Sequence, residues 1–265
     1  MPTQTQRICI EDTDIHIEGE GSQTIVMIHG WPDTYRLWDG QVQAFRNDYR
    51  CVRFTLPGFD VPDARKAYTL DDLTGFIARV VEQVSPHQPV ILLLHDWGCL
   101  FGYQFAQRYP YRVASIIGVD VGDGSERTPR GLGLTLAYQG WLALAWWLGG
   151  GLGNLMTRAL MRLMHVPKSP AEVTAGMNYP YFLMWFGGRA SYLRTARPFA
   201  PAGPMLYVYG QDKPLMFHTP GWLRRVQQRP GSQVVSFDTG HWVMLQQPER
   251  FNRVVREWLR QGNQP

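Results

Sequence analysis

Residues 90–100 read Val-Ile-Leu-Leu-Leu-His-Asp-Trp-Gly-Cys-Leu. The opening five are apolar, with β-branched residues first, as in a strand buried on both faces. A carboxylate so soon after such a run is costly to bury unless the chain turns sharply and exposes it. Gly98 permits close approach of a helix to the strand, and Cys99-Leu100 continue into small and apolar positions. The stretch therefore predicts a strand, a tight turn carrying Asp96, and a helix whose N-terminal amides face that side chain. The competing reading is an Asp that merely caps the helix beginning near Trp97.

Similar apolar runs lie on either side: Thr24–Ile28, Cys51–Phe54, Val113–Val119, Met205–Tyr209 and Val234–Phe237. Helical patterns separate several of them. In Leu70–Val84 the apolar residues Leu73, Phe76, Ile77, Val80, Val81 and Val84 recur at helical spacing behind Asp71 and Asp72, which suit a helix N-terminus. Gly98–Arg108, Trp222–Gln228 and Pro248–Leu259 repeat the theme, and Arg7–Ile17 alternates as an edge hairpin. Strands alternating with helices predict an α/β fold with a mostly parallel sheet covered on both faces. The alternation fails over 123–198, which is rich in Gly, Leu, Trp, Met and Tyr. That stretch predicts a helical cap inserted into a core formed by 1–122 and 199–265.

The 265 residues suffice for one large core. With 45% apolar and 18% charged residues, a disordered or highly charged binding protein is excluded. The formal charge of +4 is scattered, without a nucleic-acid footprint. The cysteines Cys9, Cys51 and Cys99 are distant and odd in number, which predicts reduced thiols, no zinc site and a cytoplasmic setting. The N-terminus lacks the pattern of a signal peptide. Leu132–Leu155 is interrupted by Tyr138, Gln139 and glycines and makes a poor membrane span, so no membrane partner is expected.

Three short motifs, His29-Gly30-Trp31-Pro32, His95-Asp96-Trp97-Gly98 and Gly240-His241-Trp242, each follow a core strand. In order and spacing they resemble the aspartate-nucleophile branch of the α/β-hydrolase superfamily, the epoxide hydrolases and haloalkane dehalogenases. The resemblance covers nearly the whole chain apart from the cap. It implies that Asp96 is a nucleophile forming an alkyl ester, and that His241 is the general base that activates water. It also implies a Pro32 that fixes its turn, through a cis bond, and structural roles for His29 and His95. The backbone N–H groups of Trp31 and Trp97 are the candidate oxyanion hole. Two carboxylates compete to orient His241. By the resemblance, Asp212 follows the strand ending at Tyr209-Gly210, the usual place in epoxide hydrolases, though one residue earlier than their common pattern. Asp120 ends Val113–Val119, where one dehalogenase group carries its acid and whose strand this segment matches without a gap, which favours it. Asp123 is an outside candidate.

Opening an epoxide requires acids at the ring oxygen, which epoxide hydrolases supply as cap tyrosines; Tyr138, Tyr179 and Tyr181 are the candidates, with Tyr192 also in the cap. Expelling halide requires N–H donors. Trp97 matches one, but the partner Asn of dehalogenases is absent at Trp31, leaving Trp146, Trp147 or Trp185 as substitutes. Trp147 and Trp185 are also the expected pocket wall. Hydrolysis of a small apolar epoxide to a vicinal diol is the favoured expectation, with water as co-substrate and no cofactor. Haloalkane dehalogenation and a non-catalytic ligand-binding member of the fold are the alternatives.

Overall fold

Eight strands form one sheet in the spatial order β1-β2-β4-β3-β5-β6-β7-β8. In this computed structural model, which describes residues 5–62, 64–124 and 128–262, the strands are β1 (Gln6–Ile10), β2 (Thr13–Glu18), β3 (Thr24–Ile28), β4 (Arg50–Phe54), β5 (Val90–His95), β6 (Val113–Val119), β7 (Met205–Gly210) and β8 (Gln233–Phe237). The hairpin β1–β2 is antiparallel and joins β4 antiparallel; every other pairing is parallel.

The helices are α1 (Asp39–Phe45), α2 (Leu70–Val84), α3 (Trp97–Arg108), α4 (Pro129–Leu148), α5 (Gly150–Leu163), α6 (Tyr179–Phe186), α7 (Tyr192–Thr195), α8 (Pro220–Gln227), α9 (Val243–Gln246) and α10 (Pro248–Gly262). Helix α2 starts where Thr69 and Asp72 cap each other's backbone amides.

The continuous apolar runs arise because both faces of the sheet are covered. On β5, Val90, Leu92 and Leu94 join the core layer that holds α2 and α3, while Ile91 and Leu93 join the layer that holds α1 and α10. Burying each such side chain stabilises the fold by roughly 1.5–3 kcal/mol. Parallel strands in register bring their C-terminal ends to one edge, where open α/β sheets place their ligands. Asp96, Asp120 and the loop carrying His241 all emerge there. Between β6 and β7 every regular element among the described residues is helical, which gives an α/β-hydrolase fold with a helical cap.

Candidate active site

Asp96 is held at φ 52°, ψ −124°, a conformation that a residue with a Cβ adopts only under constraint. Its side chain does not accept from the second or third amide of the helix it precedes, as a capping Asp would. Instead its Oδ2 accepts a 2.7 Å hydrogen bond from the Trp31 backbone N–H, and the Trp97 amide also donates to the carboxylate. Two amides, one after β3 and one at the start of α3, thus converge on one carboxylate. The peptide bond between Trp31 and Pro32 is cis.

The His241 Nε2 lies 3.6 Å from Asp96 Oδ1, and its Nδ1 hydrogen-bonds to Asp120 Oδ2. Side-chain exposures of 15% for His241 and 16% for Asp96 leave both reachable from outside. Asp120 is fully buried, and its other oxygen accepts from the Gly210 amide at 3.0 Å and from Lys213 Nζ at 2.6 Å. Every oxygen of this buried carboxylate is therefore satisfied, as an interior charge requires. Of the two competing acids, Asp120 is the one in contact. Asp212 is exposed, with its backbone amide paired to Thr239 O. Asp123 accepts from the Thr219 amide and hydroxyl and from Arg225, at the start of α8.

These charges set one another's protonation. Burial alone would lower the His241 pKa, but the adjacent Asp120 charge and hydrogen bond, reinforced by Asp96, raise it to about 9. Burial likewise opposes ionisation of Asp96, yet the hydrogen bond and charge of His241 hold its carboxyl below the ordinary range. The two remaining histidines of the motifs behave oppositely. Burial depresses His29 and His95 to about 3, so both are neutral supports. His29 Nδ1 donates to Gly30 O, while its Nε2 accepts from the Leu56 amide; His95 Nε2 donates to His241 O at 3.1 Å.

Aromatic side chains close over the carboxylate. The Tyr181 ring meets Trp31 and Trp97 edge-on, with centroids at 5.8 and 5.0 Å, and the Trp97 indole faces its hydroxyl. Burial, then the Asp96 charge, push the Tyr181 phenol well above its usual pKa, so it stays protonated at neutral pH. Tyr138 stands 6.0 Å from Tyr181 and is shifted in the same direction by burial. Its oxygen accepts from Gln139 Nε2, which frees its O–H to donate elsewhere. Tyr179 does not belong to this group: its hydroxyl donates to Pro57 O at 3.1 Å, and its ring packs on Phe59 and Tyr68. Tyr192 is likewise spent on Tyr68 O. Trp147 does not line the site, being 63% exposed, and the Trp185 indole is bonded to Gln139 Oε1 at the cap surface.

Three residues that the sequence left unnamed complete the arrangement. Phe217 packs on the His241 ring at 5.5 Å, and Lys213 neutralises Asp120. Asn178, fully buried, accepts from the Trp31 indole at 2.8 Å and donates to Thr157 on α5 at 2.7 Å, tying the cap to the turn that supplies an amide to Asp96. A Lys three residues past a strand-ending Gly was the available signal for Lys213; nothing in the sequence pattern marked Asn178. Among the described residues no group of three or more His, Cys, Asp or Glu side chains is arranged to hold a metal ion.

A family model described as the alpha/beta hydrolase family matches residues 25–254, from β3 into α10. The chain belongs to the alpha/beta hydrolase family. Among relatives of this hydrolase, epoxide hydrolase 1 of Caenorhabditis elegans is 36% identical over 96 residues, which is 35% of this chain and 24% of that protein. Epoxide hydrolase srdG of Neurospora crassa is 24% identical over 302 residues, covering 90% of the hydrolase and 86% of the relative. The chain thus spans about a quarter of the first relative's length and most of the second's. A solved structure of the M145A mutant of a Bacillus megaterium epoxide hydrolase aligns with a TM-score of 0.74 at 20% identity, over 96% of this chain and all of that one, which shows a shared fold.

Proposed function

We propose that this hydrolase opens an epoxide to a vicinal diol through an ester on Asp96. The observation that carries the reading is the convergence at one carboxylate of a cationic His241, two backbone amides and two phenolic donors. Relatives of similar sequence named as epoxide hydrolases support it. The cap is taken as 123–198, and the substrate as a small, mainly apolar molecule held among the aromatic rings.

In the first step an Asp96 oxygen attacks a ring carbon, the carbon–oxygen bond breaks, and the leaving alkoxide takes a proton from Tyr181 or Tyr138. Forming the ester removes the Asp96 charge that helps keep His241 protonated. The proton that His241 then releases passes to the phenolate left on the tyrosine, so the phenol is restored and the imidazole is left neutral. It becomes a base only once there is an ester to hydrolyse. In the second step His241 takes a proton from water, whose oxygen attacks the Asp96 carbonyl carbon. Charge builds on the oxygen that faces the Trp31 and Trp97 amides, and its collapse releases the diol. Asp120 holds the imidazole and stabilises its cationic form throughout.

The dehalogenase alternative has few donors at hand: Trp31 Nε1 is spent on Asn178, Trp185 Nε1 on Gln139, and Trp147 faces outward. Beside Trp97 this leaves only Trp146 of the named candidates, its buried Nε1 unbonded among the described residues and its ring packed on Phe182. A binding protein would have no need for a neutralised acid behind the imidazole. The test is to incubate the parent and His241→Gln proteins with epoxides, haloalkanes and activated esters, and to weigh the peptide that holds Asp96. Epoxides are expected to leave a stable adduct on Asp96 in the variant and to yield diol with the parent. Halide release without diol formation would overturn the reading.

A further inference from the structure

Among the described residues, fourteen of the seventeen large apolar side chains that stand exposed belong to the cap, although it is the smaller part of the chain. Helix α4 presents Trp141, Leu144 and Leu148 outward at helical spacing, and α5 continues with Leu152, Leu155 and Leu163. The two helices form one close-packed hairpin: Gly149 turns the chain with φ 62°, and the Trp141 indole donates to Met156 O across the pair at 2.9 Å. Trp185 and Phe186, at the end of α6, extend the exposed apolar surface. Soluble monomers rarely leave so much contiguous apolar surface to water.

Charge shows what would cover it. Residues 128–198 hold seven Lys and Arg against a single acid, Glu172. Arg130, Arg162, Arg189, Arg194 and Arg197 form no ion pair with any described carboxylate. Four of them lie within three residues of an exposed Leu, Trp or Phe. A second copy of the chain docking face to face would set these arginines against one another. An anionic bilayer surface would accept both components, with apolar rings and leucines entering the acyl boundary while guanidinium groups meet phosphates. The exposed Trp141, Trp147 and Trp185 suit that boundary.

We propose that the outer face of the α4–α5 hairpin, with the end of α6, seats this protein on an anionic lipid surface. No helix among the described residues is long and apolar enough to cross a membrane. Lying in the interfacial plane requires only an apolar face, so the expectation of no membrane partner, which rested on span length, does not bear on surface contact. The proposal does not depend on the chemistry assigned to Asp96.

The test is flotation of the full chain with vesicles of phosphatidylcholine alone, or containing about one-third phosphatidylglycerol, beside sedimentation of the free protein. The chain is expected to float with the anionic vesicles only, and the bound fraction to fall roughly tenfold on raising salt to about 0.5 M. Leu152→Glu/Leu155→Glu should lose binding about tenfold, as should Arg162→Glu/Arg194→Glu, with circular dichroism and thermal midpoint unchanged. Absence of flotation, or flotation that survives both double variants, overturns the proposal. So does a concentration-dependent dimer that Leu152→Glu/Leu155→Glu dissolves, which would assign the face to a second copy.

Discussion

In the sheet-bearing core, several cations lie against carboxylates, among them Arg53 on Glu18, Arg108 on Asp71, Arg112 on Glu82 and Lys213 on Asp120. In the cap, the exposed arginines have no described acid beside them, and apolar side chains face outward among them. The core thus fixes charge in place and keeps His241 and Asp96 ionised as a pair. The cap places two neutral phenols inside, Tyr138 and Tyr181, and an uncompensated surface outside. Charge that must be positioned sits on strand ends, whereas groups that must only stay uncharged sit on helices.

That division can be broken most severely at Asp120. Asp120→Asn is expected to cut kcat/KM about a thousandfold or more, because the imidazolium loses its partner. It should also change the pH dependence of stability. His241 has its folded pKa raised to about 9 from an ordinary value of 6.5. Its contribution is therefore complete below about pH 6.5 and fades as pH rises through about 9. Denaturant unfolding of the parent should show this loss across that window, and the variant should lack most of it. An unchanged profile in Asp120→Asn would place the charge coupling elsewhere.

A second, smaller effect sharpens the role of the cap. Tyr181→Phe should lower kcat for an epoxide about a hundredfold while leaving an activated ester, which needs no ring-opening acid, within a few-fold of the parent. Tyr179→Phe should change the epoxide rate by less than about threefold and instead cost about 1 kcal/mol of stability through its lost bond to Pro57 O. Equal rate losses in the two variants would mean that the cap tyrosines act by packing alone.

The smallest effect concerns the tie between the two regions. Asn178→Ala leaves the Trp31 indole N–H buried without its acceptor, which should cost about 2 kcal/mol of stability. KM should rise several-fold with kcat nearly preserved, because the Trp31 backbone amide still reaches Asp96 through the β3 turn. In a Trp31→Phe background the same substitution should cost much less, which a double-mutant cycle measures.

The readable parts of the sequence were those governed by burial and strand register. A run such as Val90–Leu94 has few alternatives to a covered strand, so its end point locates Asp96, whereas Val113–Val119 and Met205–Tyr209 each end near an acid and left Asp120 and Asp212 in competition. The cap resisted because its helices are apolar on the exposed as well as the buried face, so periodicity does not say which side turns inward. Tyr179 and Tyr181 are two residues apart on α6 and therefore point in nearly opposite directions. Only the packing of α6 on the core decides that Tyr181 faces Asp96. Trp147 and Trp185 were misplaced for the same cause, since an aromatic ring in so apolar a segment carries no sign of its facing.

The elbow beneath the cap has the opposite character. A methyl group on Gly98 would strike the backbone carbonyls of Ile28 and His29, and one on Gly30 would collide with Asp96 and the Trp97 amide. With Asp96 itself at positive φ, three neighbouring positions admit almost no variation. Libraries that seek altered substrate range should therefore return survivors with diverse cap interiors over an invariant turn, much as a lathe accepts many workpieces but only one spindle.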